Sequence, residues 1–148
     1  MMKTALRFIA MFALMLSLVF GSVGSVIPNG GTPTAEAAVS GPTDFAGIIN
    51  YIKANGWLPS NFITKSQATQ RGWVSSQCNL ATVAPGYSIG GDVFYNREGK
   101  LPSASGRVWY EADAYYTSGC RGAQRVLFSN DGLYYTTSDH YATFKRWY

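Results

Sequence analysis

The sequence predicts an α+β domain in which short N-terminal helices pack on one face of a C-terminal antiparallel β-sheet. Three observations predict it. Apolar residues recur at helical spacing early in the chain, and runs of β-forming residues dominate after Ser88. Two of those runs flank Ser129-Asn130-Asp131-Gly132, a strong hairpin turn signal. Helices first and an antiparallel meander afterwards imply helices on one sheet face and polar groups on the other.

In chain order, the first segment lies outside that domain. Met1–Arg7 carries Lys3 and Arg7, Phe8–Phe20 is almost wholly apolar, and Ala35-Glu36-Ala37 puts small residues at the two key cleavage positions. This is the layout of a secretory signal peptide, predicted over residues 1–37, with the Gly-, Ser- and Pro-rich stretch 21–33 as an extended cleavage region or short pro-segment. The apolar run is short for a membrane span, which leaves an uncleaved anchor as the other reading. The expectation is a secreted, extracellular product of one domain, residues 38–148, with no stable membrane association.

Within that domain Phe45, Ile48, Ile49 and Ile52 fall on one helical stripe over 43–55. Thr43 is the expected N-cap and Asn55-Gly56 the terminator. Leu58-Pro59-Ser60-Asn61 reads as a turn. A second helix is predicted over 65–71, because Thr64 and Gln67 have capping-box spacing and Gly72 closes the far end. A third short helix around 79–83 stops before Ala84-Pro85-Gly86. Strands are predicted over 90–95, 107–116, 125–128, 133–137 and 140–144. Alternation in 107–116 puts Arg107, Trp109, Glu111, Asp113 and Tyr115 on one face and Val108, Tyr110, Ala112, Ala114 and Tyr116 on the other. No internal repeat is visible.

Charge narrows the function. Removing Lys3, Arg7 and Glu36 with the signal lowers 12 basic and 8 acidic residues to 10 and 7, a net charge of +3. A small basic domain favours anionic partners such as nucleic acid, acidic envelope polymers or a membrane surface. Cys78 and Cys120 are expected to pair in an oxidising compartment, worth on the order of 4 kcal/mol in the chain-entropy description. One histidine and two cysteines at this spacing form no recognisable zinc site.

Four groups carry candidate chemistry, each with a plainer alternative. Glu111 is either part of a solvated sheet face or a general base. Arg121 and Arg125 are either surface ion-pair partners or forks matched to a phosphate, with Asp113 orienting one of them. Lys65 occupies the first turn of the second helix, where the macrodipole disfavours a cation. It is either incidental or shares an anion with the helix end. His140, the single histidine of the chain, is either structural or an acid–base partner. No nucleophile elbow, phosphate-cradling glycine loop or two-histidine metal motif is present.

Several blocks together resemble a known family. Leu58-Pro-Ser-Asn-Phe-Ile-Thr-Lys65, Gly72-Trp-Val74, Asn79-Leu-Ala81 and Val83-Ala-Pro-Gly86 are similar to the barnase family of secreted bacterial ribonucleases. So are Ser88-Ile-Gly-Gly-Asp92, Asn96-Arg-Glu-Gly-Lys-Leu-Pro102, Glu111-Ala-Asp113, Tyr116-Thr-Ser-Gly119 and Asp139-His-Tyr141. The resemblance runs from about Asp44 to Tyr148. It implies the microbial ribonuclease fold and a metal-independent, guanine-preferring endoribonuclease acting on single-stranded RNA without a cofactor.

Position by position, the resemblance implies Glu111 as general base and His140 as general acid, sharing one cleft. Lys65, Arg121 and Arg125 would stabilise phosphate charge, and Tyr141 would line the substrate site. Backbone N–H groups around Asn96 and Arg97 would meet guanine O6, and the Glu98 carboxylate would accept from N1–H and N2–H. It also implies a monomer and an acidic intracellular inhibitor of the barstar type. The chain departs from the family at Tyr95, where a small residue is expected, and at Gly132, where members can carry a large aromatic. The Cys78–Cys120 pair is an added staple that would also fix the loop bearing Arg121. Two other classes stay open: a basic secreted module binding RNA or envelope polysaccharide through its tyrosines, and a degenerate homologue. Filled catalytic positions argue against degeneration.

Overall fold

The structure, a computed structural model, describes residues 38–148; the expected signal segment lies outside the described residues. The elements follow in the order helix α1 (Phe45–Asn55), strand β1 (Phe62–Ile63), α2 (Lys65–Gln70), a 3-10 turn (Ser75–Gln77) and α3 (Leu80–Val83). The strands β2 (Ser88–Phe94), β3 (Trp109–Asp113), β4 (Arg125–Ser129), β5 (Tyr134–Thr137) and β6 (Lys145–Trp147) come after them. One six-stranded sheet runs β1-β2-β3-β4-β5-β6. The pair β1–β2 is parallel and every other pair antiparallel, so the expected α+β architecture is observed.

Helix α1 starts one residue later than expected. Asp44, not Thr43, is the N-cap, its side chain accepting from Gly47 N at 3.1 Å, and Gly56 ends the helix at φ 81°. Ile48, Ile49 and Ile52 bury against Ala112, Val126 and Phe128, inward positions of β3 and β4, and against Ala114 just past the end of β3. Full burial of each such isoleucine contributes about 1.5–3 kcal/mol. The capping box of α2 forms as the sequence indicates, Thr64 and Gln67 bonding reciprocally. Helices α2 and α3 close a second core of Ile63, Ala68, Trp73, Leu80, Ala84, Ile89 and Tyr116 at the β1–β2 edge.

Two glycines set the register that the site depends on. At Gly90 an added Cβ would lie 2.6 Å from the Phe62 ring and 2.9 Å from Ala112 Cβ. Gly91 then bulges out at φ 102°, so the register steps from Gly90↔Ala112 to Asp92↔Glu111. The bulge puts two carboxylates side by side on neighbouring strands.

One predicted strand is absent. Residues 140–144 form a loop, and the last strand is β6, Lys145–Trp147. Asp139 explains it: its Oδ1 accepts from Thr137 Oγ1 and Thr143 N at 2.8 and 2.9 Å, while Oδ2 accepts from Thr143 Oγ1 at 2.5 Å. These local bonds outcompete a ladder, and His140 and Tyr141 take left-handed backbone at φ 52° and 71°. The hairpin at Ser129–Gly132 forms as expected, with Gly132 at φ 89°.

Candidate active site

Strand β3 is the spine of the site. Its pleat turns Trp109, Glu111 and Asp113 away from α1, opposite Ser129, Leu127 and Arg125 of β4. A solvated strip is not what forms here: Glu111 is 8% and Asp113 2% exposed. Leu101, Trp109 and Leu127, flanked by Phe94, Leu133, Tyr135, Tyr141 and Phe144, build a third apolar cluster on this face and shut water out.

Glu111 is held from two sides. Lys65 Nζ lies 3.1 Å from Oε1, and the Tyr141 hydroxyl donates to Oε2 at 2.6 Å. Burial, reinforced by the Glu111 carboxylate, pushes the Tyr141 phenol well above its ordinary value, so it stays a donor. Asp113 organises both arginines rather than one. It accepts from Arg121 Nε and Nη2 at 2.6 and 2.8 Å, and Arg125 Nε lies 3.0 Å from its Oδ1. Burial alone would lower the Arg121 guanidinium, but the hydrogen bonds and charge of Asp113 outweigh it and hold it above its usual value. Arg125 Nε also donates to Tyr141 OH at 3.1 Å, so Asp113, Arg125, Tyr141 and Glu111 form one polar chain. Such chains strengthen in a water-poor setting when every member is satisfied.

At the N-terminus of α2 the Lys65 N–H donates to the Asp92 carboxylate at 2.9 Å and the Gln67 N–H to Thr64. The Lys65 ammonium pairs with Glu111. Asp92, opposite Glu111 because of the Gly91 bulge, is the residue that fixes where Lys65 begins its helix. Sequence reasoning gave it no role, since a one-residue register step is invisible without the partner strand.

His140 is exposed on the loop that Asp139 closes. The hydrogen bonds from Thr143, first its hydroxyl and then its backbone N–H, together with that from Thr137, hold the Asp139 carboxyl down at about 2. The loop is therefore tied by an ionised carboxylate at neutral pH. The His140 and Tyr141 rings are 4.9 Å apart, edge to face.

These groups line two adjoining cavities. One, of about 440 Å³, is bounded by Trp73, Cys120, Arg121, Arg125 and His140 among others. The second, of about 420 Å³, is bounded by Lys65, Glu111, Tyr141, Phe94 and the 95–98 loop. The two meet where Arg125, in the first, donates to the Tyr141 hydroxyl, in the second, so His140 lines one and Glu111 the other. Among the described residues five non-glycine positions have positive φ, and four of them, Cys78, Asn96, His140 and Tyr141, border these cavities. Such backbone costs about 1–3 kcal/mol per residue and is retained where surrounding contacts demand it.

The 95–101 loop supplies the outer wall of the second cavity. Asn96, at φ 51°, donates to Leu101 O and accepts from Leu101 N at 2.8 and 3.0 Å, closing the loop on itself. Its side chain is thus spent on shape. Phe94 stacks on Tyr141 with centroids 5.3 Å apart, and Glu98 pairs with Lys100 at 3.0 Å. Lys100 also donates to Tyr141 O and Ala142 O, tying this loop to the one bearing His140. Tyr95 is 73% exposed, with the Arg97 guanidinium 5.6 Å from its ring centroid. Cys78 and Cys120 are joined in a disulfide. Among the described residues no group of three or more His, Cys, Asp or Glu is arranged to hold a metal ion.

Helices on one sheet face and a cation-ringed carboxylate on the other belong to a class of small α+β ribonucleases. A family model described as ribonuclease matches residues 46–148. The ribonuclease of Heyndrickxia coagulans is 62% identical over 102 residues, 69% of this chain and 94% of that protein. The ribonuclease of Bacillus intermedius is also 62% identical over 102 residues, of whose length this chain spans 63%. A guanyl-specific ribonuclease St from Saccharopolyspora erythraea is 40% identical over 60 residues, 40% of this chain and 59% of that one. The chain belongs to the ribonuclease family, and within it to the barnase-like microbial enzymes.

Proposed function

We propose that the chain is a secreted endoribonuclease that cleaves single-stranded RNA after guanine, without a metal, through a 2′,3′-cyclic phosphate. One observation carries the reading: a buried glutamate between Lys65 and Tyr141, with two arginines aligned by Asp113 beside it and a histidine lining one cavity with those arginines. In the first step Glu111 takes the ribose 2′-OH proton and the oxygen attacks the adjacent phosphorus in line. His140 protonates the departing 5′-oxygen, since an in-line displacement needs its base and its acid at opposite ends. Lys65, Arg121 and Arg125 offset the charge that grows on the phosphoryl oxygens. Water then opens the cyclic phosphate with the two roles exchanged. DNA lacks the attacking hydroxyl and is not a substrate.

Guanine preference rests on the loop chemistry and on the guanyl-specific name of the St relative. Among the described residues the backbone N–H groups of Asn96, Arg97 and Glu98 donate to no protein acceptor, which leaves them for guanine O6. Glu98 is held by Lys100 and would turn to N1–H and N2–H. A base that leaves these groups unpaired is penalised by about 1–3 kcal/mol per group. Phe94 and Tyr141 would hold the base face. On the signal-peptide reading of 1–37 the active domain, residues 38–148, would work outside the cell, and we take it to act as a monomer. A barstar-type acidic inhibitor would meet the basic site before export. Purified protein incubated with GpN and ApN dinucleotides plus a chelator tests the reading. Cyclic phosphate should appear, faster from GpN; a binding module would release none.

A further inference from the structure

The Cys78–Cys120 disulfide ends on the residue next to Arg121, and both cysteines line the cavity that Arg121 and His140 share. The loop between β3 and β4 is otherwise loosely held. Gly119 and Gly122 flank Cys120-Arg121, and among the described residues the N–H groups of residues 117–122 donate to no backbone acceptor. Within 117–122 two carbonyls are caught, Gly119 O by Tyr116 OH at 2.9 Å and Gly122 O by Arg125 at 2.7 Å, while Ala123 O and Gln124 O hold the end that joins β4. The other end of the staple is firm. Asn79 clamps the preceding segment, its side chain accepting from Val74 N at 2.8 Å and donating to Gly72 O at 3.0 Å. That same segment carries Trp73, whose ring lies 5.8 Å from the Arg121 guanidinium. One clamped stretch therefore grips Arg121 twice, through the Trp73 ring and through the sulfur bridge to its neighbour.

We infer that the Cys78–Cys120 disulfide is a positioning element for Arg121, and that its oxidation state sets turnover. This rests on the reading of Arg121 as a group that stabilises phosphate charge. Asp113 fixes the tip of the side chain, while the disulfide fixes the backbone it hangs from. Without the bridge the glycine-flanked loop gains freedom, and the guanidinium must be ordered anew in each transition state. A dithiol reductant would reverse the staple: two electrons and two protons pass from the dithiol to the bridge, giving two cysteine thiols and a cyclic disulfide of the reductant. In a reducing compartment the enzyme would be slow, and oxidation outside it would complete the site.

The test is a cycle of four proteins, assayed on GpN well below their melting temperatures: wild type, Cys78→Ala/Cys120→Ala, Arg121→Ala, and all three substitutions together. A sub-ångström loosening of Arg121 should lower kcat by about tenfold, within the hundredfold that a 1 Å misplacement can cost. KM should stay within about twofold, and in the Arg121→Ala background loss of the bridge should change kcat by less than about twofold. The same drop in both backgrounds, or no drop beside intact Arg121, would overturn the inference. Wild-type turnover in Arg121→Ala alone would overturn the reading of Arg121, and the inference with it. A second readout covers failure of the cysteine variant to fold. On titrating wild type with a dithiol, kcat should fall in step with the appearance of two thiols and return on reoxidation. Turnover indifferent to thiol count would contradict the proposal.

Discussion

Asp113→Asn separates an architectural carboxylate from a decorative one. The substitution keeps the volume and removes one charge from a side chain that is 3% exposed and contacts two arginines at 2.6–3.0 Å. Removing one partner of a buried pair costs about 3–5 kcal/mol, because the remaining charge is left without compensation. Arg125, 4% exposed, can regain little hydration, whereas Arg121, at 18%, can partly resolvate. That discount points to the lower end, about 3 kcal/mol. For a domain near this size such a loss lowers Tm by on the order of 10–15 °C. Urea unfolding with an unchanged m-value, alongside a thermal melt, measures it. A loss below about 1 kcal/mol, the worth of an exposed ion pair, would refute the assignment of Asp113 as the buried anchor of both arginines.

Three further outcomes follow from the site. Tyr141→Phe removes the hydrogen bond to Glu111 while keeping the stack on Phe94, so kcat for GpN should fall by about three- to tenfold with KM little changed; a larger effect on KM would assign Tyr141 to base binding alone. Asn96→Ala opens the 96–101 loop and should erode the GpN over ApN preference by at least about tenfold, with melting temperature little altered; retained preference would mean the loop needs no closure. Asp139 has a folded value depressed from 3.8 to about 2, so its contribution is present above pH 4 and is lost as pH falls towards 2. Stability measured across that window should fall less steeply in Asp139→Asn than in wild type; parallel slopes would show that Asp139 does not tie the His140 loop.

Much of this fold is legible where local chemistry decides it. The Thr64 capping box, the isoleucine stripe of α1 and the turn at Asn130-Asp131-Gly132 all form from contacts within a few residues. What was not legible depends on distant partners. Strand β1 is two residues long and exists because Ser88 and Ile89 lie beside it. Glu111 is shielded by a face built from Leu101, Leu127, Tyr141 and Phe144, spread over more than forty positions of the chain, and Asp113 is covered by Arg121 and Arg125. Residues 140–144 read as a strand because the alternation is real, but Asp139 captures Thr137 and Thr143 first. Periodicity therefore placed Glu111 and Asp113 on the correct face and misjudged its wetness. Resemblance named the site residues, while Asp92, Lys100 and Trp73 emerged only from the register and the loop contacts that bring them in.

The central claim is that Glu111 and His140 act as base and acid on one phosphodiester. The pH dependence of kcat/KM for GpN transphosphorylation, in wild type, Glu111→Ala and His140→Ala, tests it directly. The account predicts a bell-shaped profile for wild type, and for each variant a loss of at least about a hundredfold together with one limb of the bell. A near-wild-type rate in either variant, or a bell intact in both, would contradict it.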